Sequence, residues 1–162
     1  MEALAQKIGE RLKAARAKLV TAESCTGGWA AQVVTSVAGS SAWFERGFVT
    51  YSNEAKHELL GVQENTLHTH GAVSEETARE MAQGALSRGK GTVALAVTGV
   101  AGPGGGSPVK PVGMVCFAWA SARSVRSETQ QFSGDRESVR RQSVVRALEG
   151  VVQHLQGSDA GG

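Results

Sequence analysis

The chain has 162 residues, a formal net charge of +2, 41% hydrophobic and 20% charged residues, which are proportions typical of one folded domain. Because this charge is small and no basic run occurs, the sequence predicts no nucleic-acid partner. Cys25 and Cys116 form neither a disulfide framework nor a paired CxxC zinc site. No apolar run approaches the roughly 18 residues that span a membrane, and the N-terminus is amphipathic and charged. We therefore expect a cytoplasmic protein with no membrane partner.

Helix-like and strand-like patterns alternate in the first half of the chain. The predicted elements are a helix over 2–17, a strand at Leu19–Ala22, a helix at Trp29–Val37, a strand over 43–51, and a helix from an N-cap at Asn53 to Leu60. Gly61 would end the last of these helices. This alternation is typical of parallel strands joined by crossover helices.

The second half of the chain ends in a predicted antiparallel hairpin and a final helix. The elements are a helix capped by Ser74, a buried strand at Thr92–Val97, strands at Gly113–Ala120 and Val125–Phe132, and a helix capped by Asp135. The sequence therefore predicts an α/β fold, a three-layer αβα sandwich with a mixed sheet of about five strands. We expect a single domain over 1–157 and a disordered tail at 158–162.

The segment TAESCTGG, residues 21–28, lies between a predicted strand and a predicted helix. Ser24 would then stand at the carboxyl end of a strand, where open α/β sheets bind ligands. The N-terminus of the following helix offers unpaired backbone N–H groups that suit an anion or a developing oxyanion. An ordinary helix cap with turn glycines would give the same pattern, so the spacing leaves both interpretations open.

The segment TGVAGPGGGS, residues 98–107, is a glycine-rich loop after the buried strand. It lacks the Gly-Lys-Ser/Thr ending of a Walker loop and does not match GxGxxG. Glycines let a backbone approach a ligand closely, but they also form plain flexible connections. By itself the loop favours neither interpretation.

Six segments in order resemble the C-terminal domain family of the competence-damage protein CinA, and in particular its stand-alone nicotinamide-nucleotide amidases. They are TAESCTGG at 21–28, GSSAWFERGFVTYSNEAK at 39–56, GAVS at 71–74, TGVAGPGGGS at 98–107, KPVG at 110–113 and FSGDR at 132–136. The resemblance extends from about residue 4 to residue 156.

The resemblance implies hydrolysis of nicotinamide mononucleotide to nicotinic acid mononucleotide and ammonia, in pyridine nucleotide recycling, with no cofactor and no metal. It implies a Ser–Lys dyad of Ser24 as nucleophile and Lys56 as base, and an acyl-enzyme. Tyr51 and Thr98 fall in the same motifs and are the further catalytic candidates. An ordinary lysine is protonated at neutral pH, so Lys56 could act as a base only if its pKa were lowered.

The remaining candidate residues would bind the substrate. They are Cys25, Thr26, Gly27, Gly28, Asn53, Gly99, Gly102, Gly104, Gly105, Arg140 and Arg141. Backbone N–H groups in 25–28 would hold the oxyanion, and the arginines would bind phosphate or else form a solvated helix face.

Several alternatives stay open at this stage. Lys56 could be an exposed helical lysine, and Cys25 could compete as the nucleophile. The whole chain could be a non-catalytic nucleotide-binding module or a competence-related interaction module of the same fold. The histidines show no HExxH spacing, so no metal site is predicted. We expect a homo-oligomer and leave open whether it is a dimer or a trimer.

Overall fold

A five-stranded mixed sheet forms the centre of the computed structural model, which describes the backbone of residues 1–160 and the side chains of residues 1–157. The elements are α1 (Glu2–Ala15), β1 (Leu19–Glu23), α2 (Trp29–Thr35), a 3₁₀ turn (Ser40–Ala42), β2 (Phe44–Val49), α3 (Asn53–Leu60), α4 (Glu64–His70), α5 (Glu75–Gly89), β3 (Val93–Gly99), β4 (Met114–Ser121), β5 (Val125–Gln131) and α6 (Arg136–Ala160). Residues 161 and 162 lie outside this range. Of the tail expected at 158–162, the backbone of 158–160 belongs to α6 and 161–162 are not described, so disorder there stays a prediction.

The strands are arranged in the order β2-β1-β3-β4-β5. β1 pairs in parallel with both β2 and β3, while β4 pairs antiparallel with β3 and with β5. The carboxyl ends of β1, β2 and β3 consequently meet at one edge of the sheet. This arrangement confirms the predicted mixed sheet and its late hairpin.

Helices cover both faces of the sheet, which confirms the three-layer sandwich. One core contains α1, α2 and α6 against large strand side chains such as Leu95, Phe117 and Trp119. The other core contains α3 and α5 against small side chains, among them Ala94 and Ala118. Successive strand residues point to opposite faces, so one strand supplies both sets. The small set allows α5 to lie close to the sheet.

A glycine in α5 sets the distance between that helix and the end of α3. A Cβ atom added at Gly84 would lie 1.8 Å from the carbonyl oxygen of Leu60, which is the last residue of α3. Only a residue without a side chain permits this contact. This close approach holds α3 near the carboxyl end of β1, where Ser24 lies.

Local hydrogen bonds explain where three helices begin, and one of them corrects a sequence prediction. Ser52, not Asn53, caps α3, because its hydroxyl accepts a hydrogen bond from Ala55 N at 3.0 Å and Asn53 is already helical. Ser74 caps α5 as predicted, by accepting from Thr77 N at 3.1 Å. Asp135 Oδ1 accepts from Ser138 N at 2.9 Å at the start of α6.

Two larger differences are a helix that was not predicted and a longer β3, while the ends of the other elements lie within about two residues of their predicted positions. The sequence assigned no helix to residues 64–70, where the structure has α4, a short segment in which Thr66 is the buried residue. β3 extends through Thr98 and Gly99, which the sequence placed in the glycine loop, because both pair with β4. None of the described helices is long and apolar enough to cross a membrane.

Candidate active site

Residues 24–28, here called the nucleophile loop, connect the carboxyl end of β1 to α2. Ser24 continues β1 by donating its backbone N–H to Val97 O at 3.0 Å, so its position is tied to β3. Gly27 and Gly28 have φ angles of 61° and 103°, values that favour glycine. These glycines turn the chain sharply into the helix and leave Ser24 at the edge of the sheet.

Lys56 approaches Ser24 from α3. Its Nζ atom donates to Ser24 Oγ at 2.9 Å, to the carbonyl oxygen of Thr50 at 2.9 Å and to that of Tyr51 at 3.4 Å. The side chains are buried, with Lys56 1% and Ser24 8% exposed. No carboxylate forms an ion pair with Lys56 among the described side chains. The predicted pair therefore meets in space, and the alternative of an exposed lysine is wrong.

Burial changes the acid–base properties of the candidate base and of the competing cysteine. It lowers the pKa of the Lys56 ammonium from 10.5 to about 8, because an unpaired charge is poorly solvated there. Burial raises the pKa of the neighbouring Cys25 thiol to about 11, so this cysteine is a thiol at neutral pH. These values favour a lysine that can accept a proton and a serine, rather than a cysteine, as the group it activates.

The nucleophile loop contains backbone donors without acceptors. Gly27 N donates to Ser24 O at 3.0 Å, and Trp29 N donates to Thr26 O at 3.1 Å. Within the described part of the chain, the N–H groups of Thr26 and Gly28 make no hydrogen bond, and that of Cys25 reaches no other residue, its only contact being its own thiol. Free N–H groups beside a nucleophile are the usual donors of an oxyanion hole.

Thr98 lies next to Ser24 across the β1–β3 pairing, because Glu23 and Val97 are register partners. Its hydroxyl donates to the carbonyl oxygen of Ala72 at 2.9 Å, in the GAVS segment, and the residue is buried. This contact joins the end of β3 to the start of α5. The Thr98 hydroxyl makes no hydrogen bond with Ser24 or Lys56.

Tyr51 follows β2 and has a side chain at the surface, 63% exposed. Arg136 connects it to the glycine loop: its Nη2 donates to the Tyr51 hydroxyl at 3.3 Å, and its Nη1 donates to Gly102 O at 2.8 Å. Arg136 is the first residue of α6, which the structure thus places at the mouth of the site. Asn53, at the start of α3, is exposed.

The glycines of the loop differ in what surrounds them. A Cβ atom at Gly99 would lie 2.7 Å from a methyl group of Val115, so this glycine allows packing against β4. Gly102 would contact Val112 in the same way, at 2.5 Å. Nothing lies within 4 Å of a Cβ atom at Gly104, and Gly105 is equally open apart from one methyl of Val100 at 3.8 Å. Only the last two positions leave room for a ligand.

Arg140 and Arg141 are adjacent in α6 but have different partners. Arg140 donates from Nε to Cys25 O at 3.1 Å and from Nη2 to Thr26 O at 3.2 Å. Arg141 donates to Glu137 on its own helix at 3.0 Å. Both guanidinium groups lie over the Trp29 ring, 5.4 and 5.3 Å from its centroid. Arg140 thus contacts the nucleophile loop itself, and Arg141 does not.

Three residues at the site carry no assigned role in the sequence interpretation. Glu23 is fully buried and accepts hydrogen bonds from the nucleophile loop and α2. Thr50 presents its carbonyl oxygen to Lys56, while its buried hydroxyl has no partner in the described residues. Ala72 accepts from Thr98 through its backbone. All three lie inside motifs quoted above, at 21–28, 39–56 and 71–74. Thr50 and Ala72 act through backbone carbonyls, so their residue types give no signal of these contacts.

The described side chains lack the arrangement of ligands that a metal ion needs. No group of three or more histidine, cysteine, aspartate or glutamate side chains among them is arranged to hold a metal ion. The polar groups around Ser24 are a lysine, hydroxyls and backbone amides. Such a set suits proton transfer and charge stabilisation.

The fold and the Ser24–Lys56 contact define an α/β sandwich protein with a candidate catalytic centre at the carboxyl edge of its sheet. The family model described as the CinA C-terminal domain matches residues 1–155, and the chain belongs to this family.

Similar proteins extend over nearly the same length. The nicotinamide-nucleotide amidohydrolase PncC of Escherichia coli strain K12 is 56% identical over 153 residues, which are 94% of this chain and 93% of that protein. PncC of Pseudomonas putida is 53% identical over 150 residues, 93% of this chain and 94% of its own length. The crystal structure of competence/damage inducible protein CihA from Agrobacterium tumefaciens superposes with a TM-score of 0.93 at 46% identity, covering 96% of this chain and 94% of that one.

Proposed function

We propose that this protein hydrolyses the carboxamide of nicotinamide mononucleotide to nicotinic acid mononucleotide and ammonia. The observation that carries the proposal is the buried Lys56 Nζ, 2.9 Å from Ser24 Oγ and without an ion-pair partner in the described residues. The activity named for PncC of Escherichia coli and of Pseudomonas putida, which are 56% and 53% identical to this chain, supports the choice of substrate.

In the first half of the reaction, neutral Lys56 takes the proton of the Ser24 hydroxyl as the oxygen attacks the carboxamide carbon. The carbonyl oxygen becomes an oxyanion, which accepts hydrogen bonds from free N–H groups of the nucleophile loop. The Lys56 ammonium then gives its proton to the amide nitrogen. The C–N bond breaks, ammonia leaves, and the acyl group stays on Ser24 as an ester.

In the second half, neutral Lys56 takes a proton from a water molecule that attacks the ester carbon. The same N–H groups stabilise the second oxyanion. Lys56 returns the proton to Ser24 Oγ as the C–O bond breaks, which releases nicotinic acid mononucleotide and restores the free enzyme. One lysine thus serves as base and acid in each half, which requires a pKa near working pH.

The open side of the site suits the rest of the substrate. Arg136 and the exposed loop around Gly104 and Gly105 stand at the mouth, where a guanidinium and free amides can bind a phosphate group. Arg141 and Asn53 stay predicted contacts, as do proton-relay or amide-positioning roles for Tyr51 and Thr98. Assembly as a homo-oligomer, a cytoplasmic location and a part in NAD recycling stay predictions too.

The test is ammonia release from nicotinamide mononucleotide by purified protein, with the acid product identified by chromatography. Stoichiometric ammonia and nicotinic acid mononucleotide, absent with Ser24→Ala, support the amidase. A protein that binds the nucleotide without releasing ammonia would instead be the non-catalytic module that the sequence left open. A protein that neither binds nor hydrolyses the nucleotide would contradict both.

A further inference from the structure

Glu23 is a fully buried carboxylate that directly precedes the nucleophile. Its Oε1 atom accepts from the Thr26 hydroxyl at 2.6 Å and from Ala30 N at 2.8 Å, and its Oε2 atom accepts from Ala31 N at 3.1 Å. Glu23 is the acceptor in all three hydrogen bonds and uses both of its carboxylate oxygens. Glu23 therefore replaces the missing side-chain cap of α2, whose N-cap residue is Gly28.

Arg140 holds the opposite side of the same loop. Its Nε and Nη2 atoms donate, side by side, to the carbonyl oxygens of Cys25 and Thr26, which are consecutive along the chain. The guanidinium lies over the Trp29 ring and is half-buried, so its own orientation is restricted. These contacts occupy the Nε–Nη2 edge of the guanidinium, one of the two edges with which an arginine binds a phosphate.

Hydrogen bonds to the carbonyl oxygens of Ser24 and Cys25 fix the direction of the free N–H groups. In a trans peptide the N–H points away from the carbonyl of the same unit. The Ser24 carbonyl is held by Gly27 N, which sets the direction of the Cys25 N–H. The Cys25 carbonyl is held by Arg140 Nε, which sets the direction of the Thr26 N–H. Two of the three N–H groups that reach no other residue, those of Cys25 and Thr26, thus belong to peptide units whose carbonyls are both held.

We infer that Glu23 and Arg140 are positioning residues that orient the N–H groups of Cys25 and Thr26 toward the oxyanion formed on Ser24. The inference rests on the proposed amidase function and goes beyond it, since neither side chain touches the reacting atoms. It also replaces phosphate binding, which the sequence suggested for Arg140. Loss of one oxyanion donor typically lowers kcat by about 10²- to 10³-fold, so misorientation of the loop should lower kcat.

The test uses Arg140→Lys and Glu23→Gln in the full chain. Arg140→Lys keeps the positive charge but loses the fork, and Glu23→Gln keeps the shape but loses acceptance at one oxygen. Arg146→Lys is the matched control, because Arg146 is also a half-buried arginine of α6 that makes a forked pair of bonds, from Nε and Nη2 to Glu128 at 2.7 and 2.6 Å, beside a third to Gln153 at 3.0 Å. Its partner lies on β5, away from the nucleophile loop.

Three readouts separate positioning from binding and from a general loss of structure. The first is kcat and KM on nicotinamide mononucleotide and on nicotinamide riboside. The second is the rate at which a fluorophosphonate labels Ser24, a reaction in which Ser24 Oγ bonds to phosphorus, fluoride leaves and the serine proton passes to the base. The third is the melting temperature, with circular dichroism as a check on folding.

We expect both variants to lose at least about tenfold in kcat on either substrate, with the ratio of the two kcat/KM values unchanged. Labelling of Ser24 should slow in parallel, while Arg146→Lys keeps the parental kcat and labelling rate at a similar change in melting temperature. Arg140→Lys tests the inference by itself if Glu23→Gln does not fold.

Two results would overturn the inference. A raised KM for the mononucleotide alone, with kcat unchanged, would make Arg140 a phosphate contact. Parental kcat and labelling rates in folded variants would leave no positioning role. A parent protein that releases no ammonia would refute the proposed function, and the labelling rates would still decide the role of Glu23 and Arg140.

Discussion

Lys56 Nζ and Ser24 Oγ lie 2.9 Å apart, and their contact joins α3 to the carboxyl end of β1. Two carbonyl oxygens, from Thr50 and Tyr51, surround the remaining side of the amine. Carbonyls orient the nitrogen without the full charge of a carboxylate, which would stabilise the ammonium form. The geometry consequently allows burial to lower the pKa of Lys56.

Replacing the candidate nucleophile separates serine from cysteine chemistry. We expect Ser24→Ala to lower ammonia release at least about 10³-fold, because it removes the attacking oxygen and little volume. Cys25→Ala should stay within about tenfold of the parent, since burial raises the pKa of that thiol to about 11. Initial rates of ammonia release, with circular dichroism as the folding control, measure both. The reverse order of activities would assign the nucleophile to Cys25.

The role of Lys56 as a base predicts a particular pH profile. Neutral Lys56 is the active form, so kcat/KM should rise with pH and level off above an apparent pKa of about 8. Lys56→Arg should be nearly inactive, because a guanidinium cannot accept the serine proton. Rates on nicotinamide mononucleotide between pH 6 and pH 10 test this. A folded arginine variant within about tenfold of the parent would show that Lys56 only supplies positive charge.

Chelation tests whether the reaction depends on a metal ion. Since the described side chains offer no group of metal ligands, we expect exhaustive treatment with a chelator to leave the rate of ammonia release unchanged. The control is the same dialysis without chelator. A rate that falls and returns on addition of Zn²⁺ or Mn²⁺ would contradict the dyad mechanism as written.

The phosphate of the substrate should contribute to catalysis through Arg136 and the open glycine loop. We expect nicotinamide riboside to have a kcat/KM at least about tenfold below that of the mononucleotide, because a charged hydrogen bond to phosphate is lost. Arg136→Ala should bring the kcat/KM values of the mononucleotide and the riboside closer together, since its guanidinium stands beside Tyr51 and Gly102 at the mouth of the site. General damage to the site would lower both values alike and leave their ratio unchanged. Equal efficiency on both substrates in the parent would remove phosphate recognition.

The local patterns were sufficient for the fold and for the position of Ser24. Alternating helices and strands predicted the mixed sheet, and a serine between a strand and a helix must stand at the sheet edge. The burial of Lys56 has no local signal, because α3 is mostly polar and lysine is usually exposed. It depends on the approach of α5 at Gly84, a contact between residues far apart in sequence.

Which of the two arginines contacts the nucleophile loop also could not be predicted from the sequence. Arg140 and Arg141 are consecutive in α6 and therefore differ by about 100° in direction, which decides whether a side chain meets the nucleophile loop or solvent. Only the packing of α6 against α2 and the sheet fixes this rotation. The role of Glu23 was hidden for a similar reason, because the backbone N–H groups that donate to its carboxylate belong to the start of α2 and face Glu23 only when that helix packs.

The buried base should also destabilise the folded protein, and replacing it should show this. Lowering the Lys56 pKa from 10.5 to about 8 reduces the free energy of unfolding at pH 7 by about 3 kcal/mol. The cause is that the ammonium form of Lys56 is solvated in the unfolded chain and buried in the folded one. The unfolded state binds more protons between these pH values, so the penalty is complete below about pH 8 and disappears as pH rises toward 10.5. Lys56→Met should therefore be inactive, and its free energy of unfolding relative to the parent should be highest below about pH 8 and fall from there up to pH 10. Urea unfolding of both proteins across this range measures the difference, and Lys7→Met, at an exposed lysine of α1, controls for the loss of a surface charge. A difference between Lys56→Met and the parent that does not change with pH would mean that Lys56 keeps an ordinary pKa, and the base would then have to be another group.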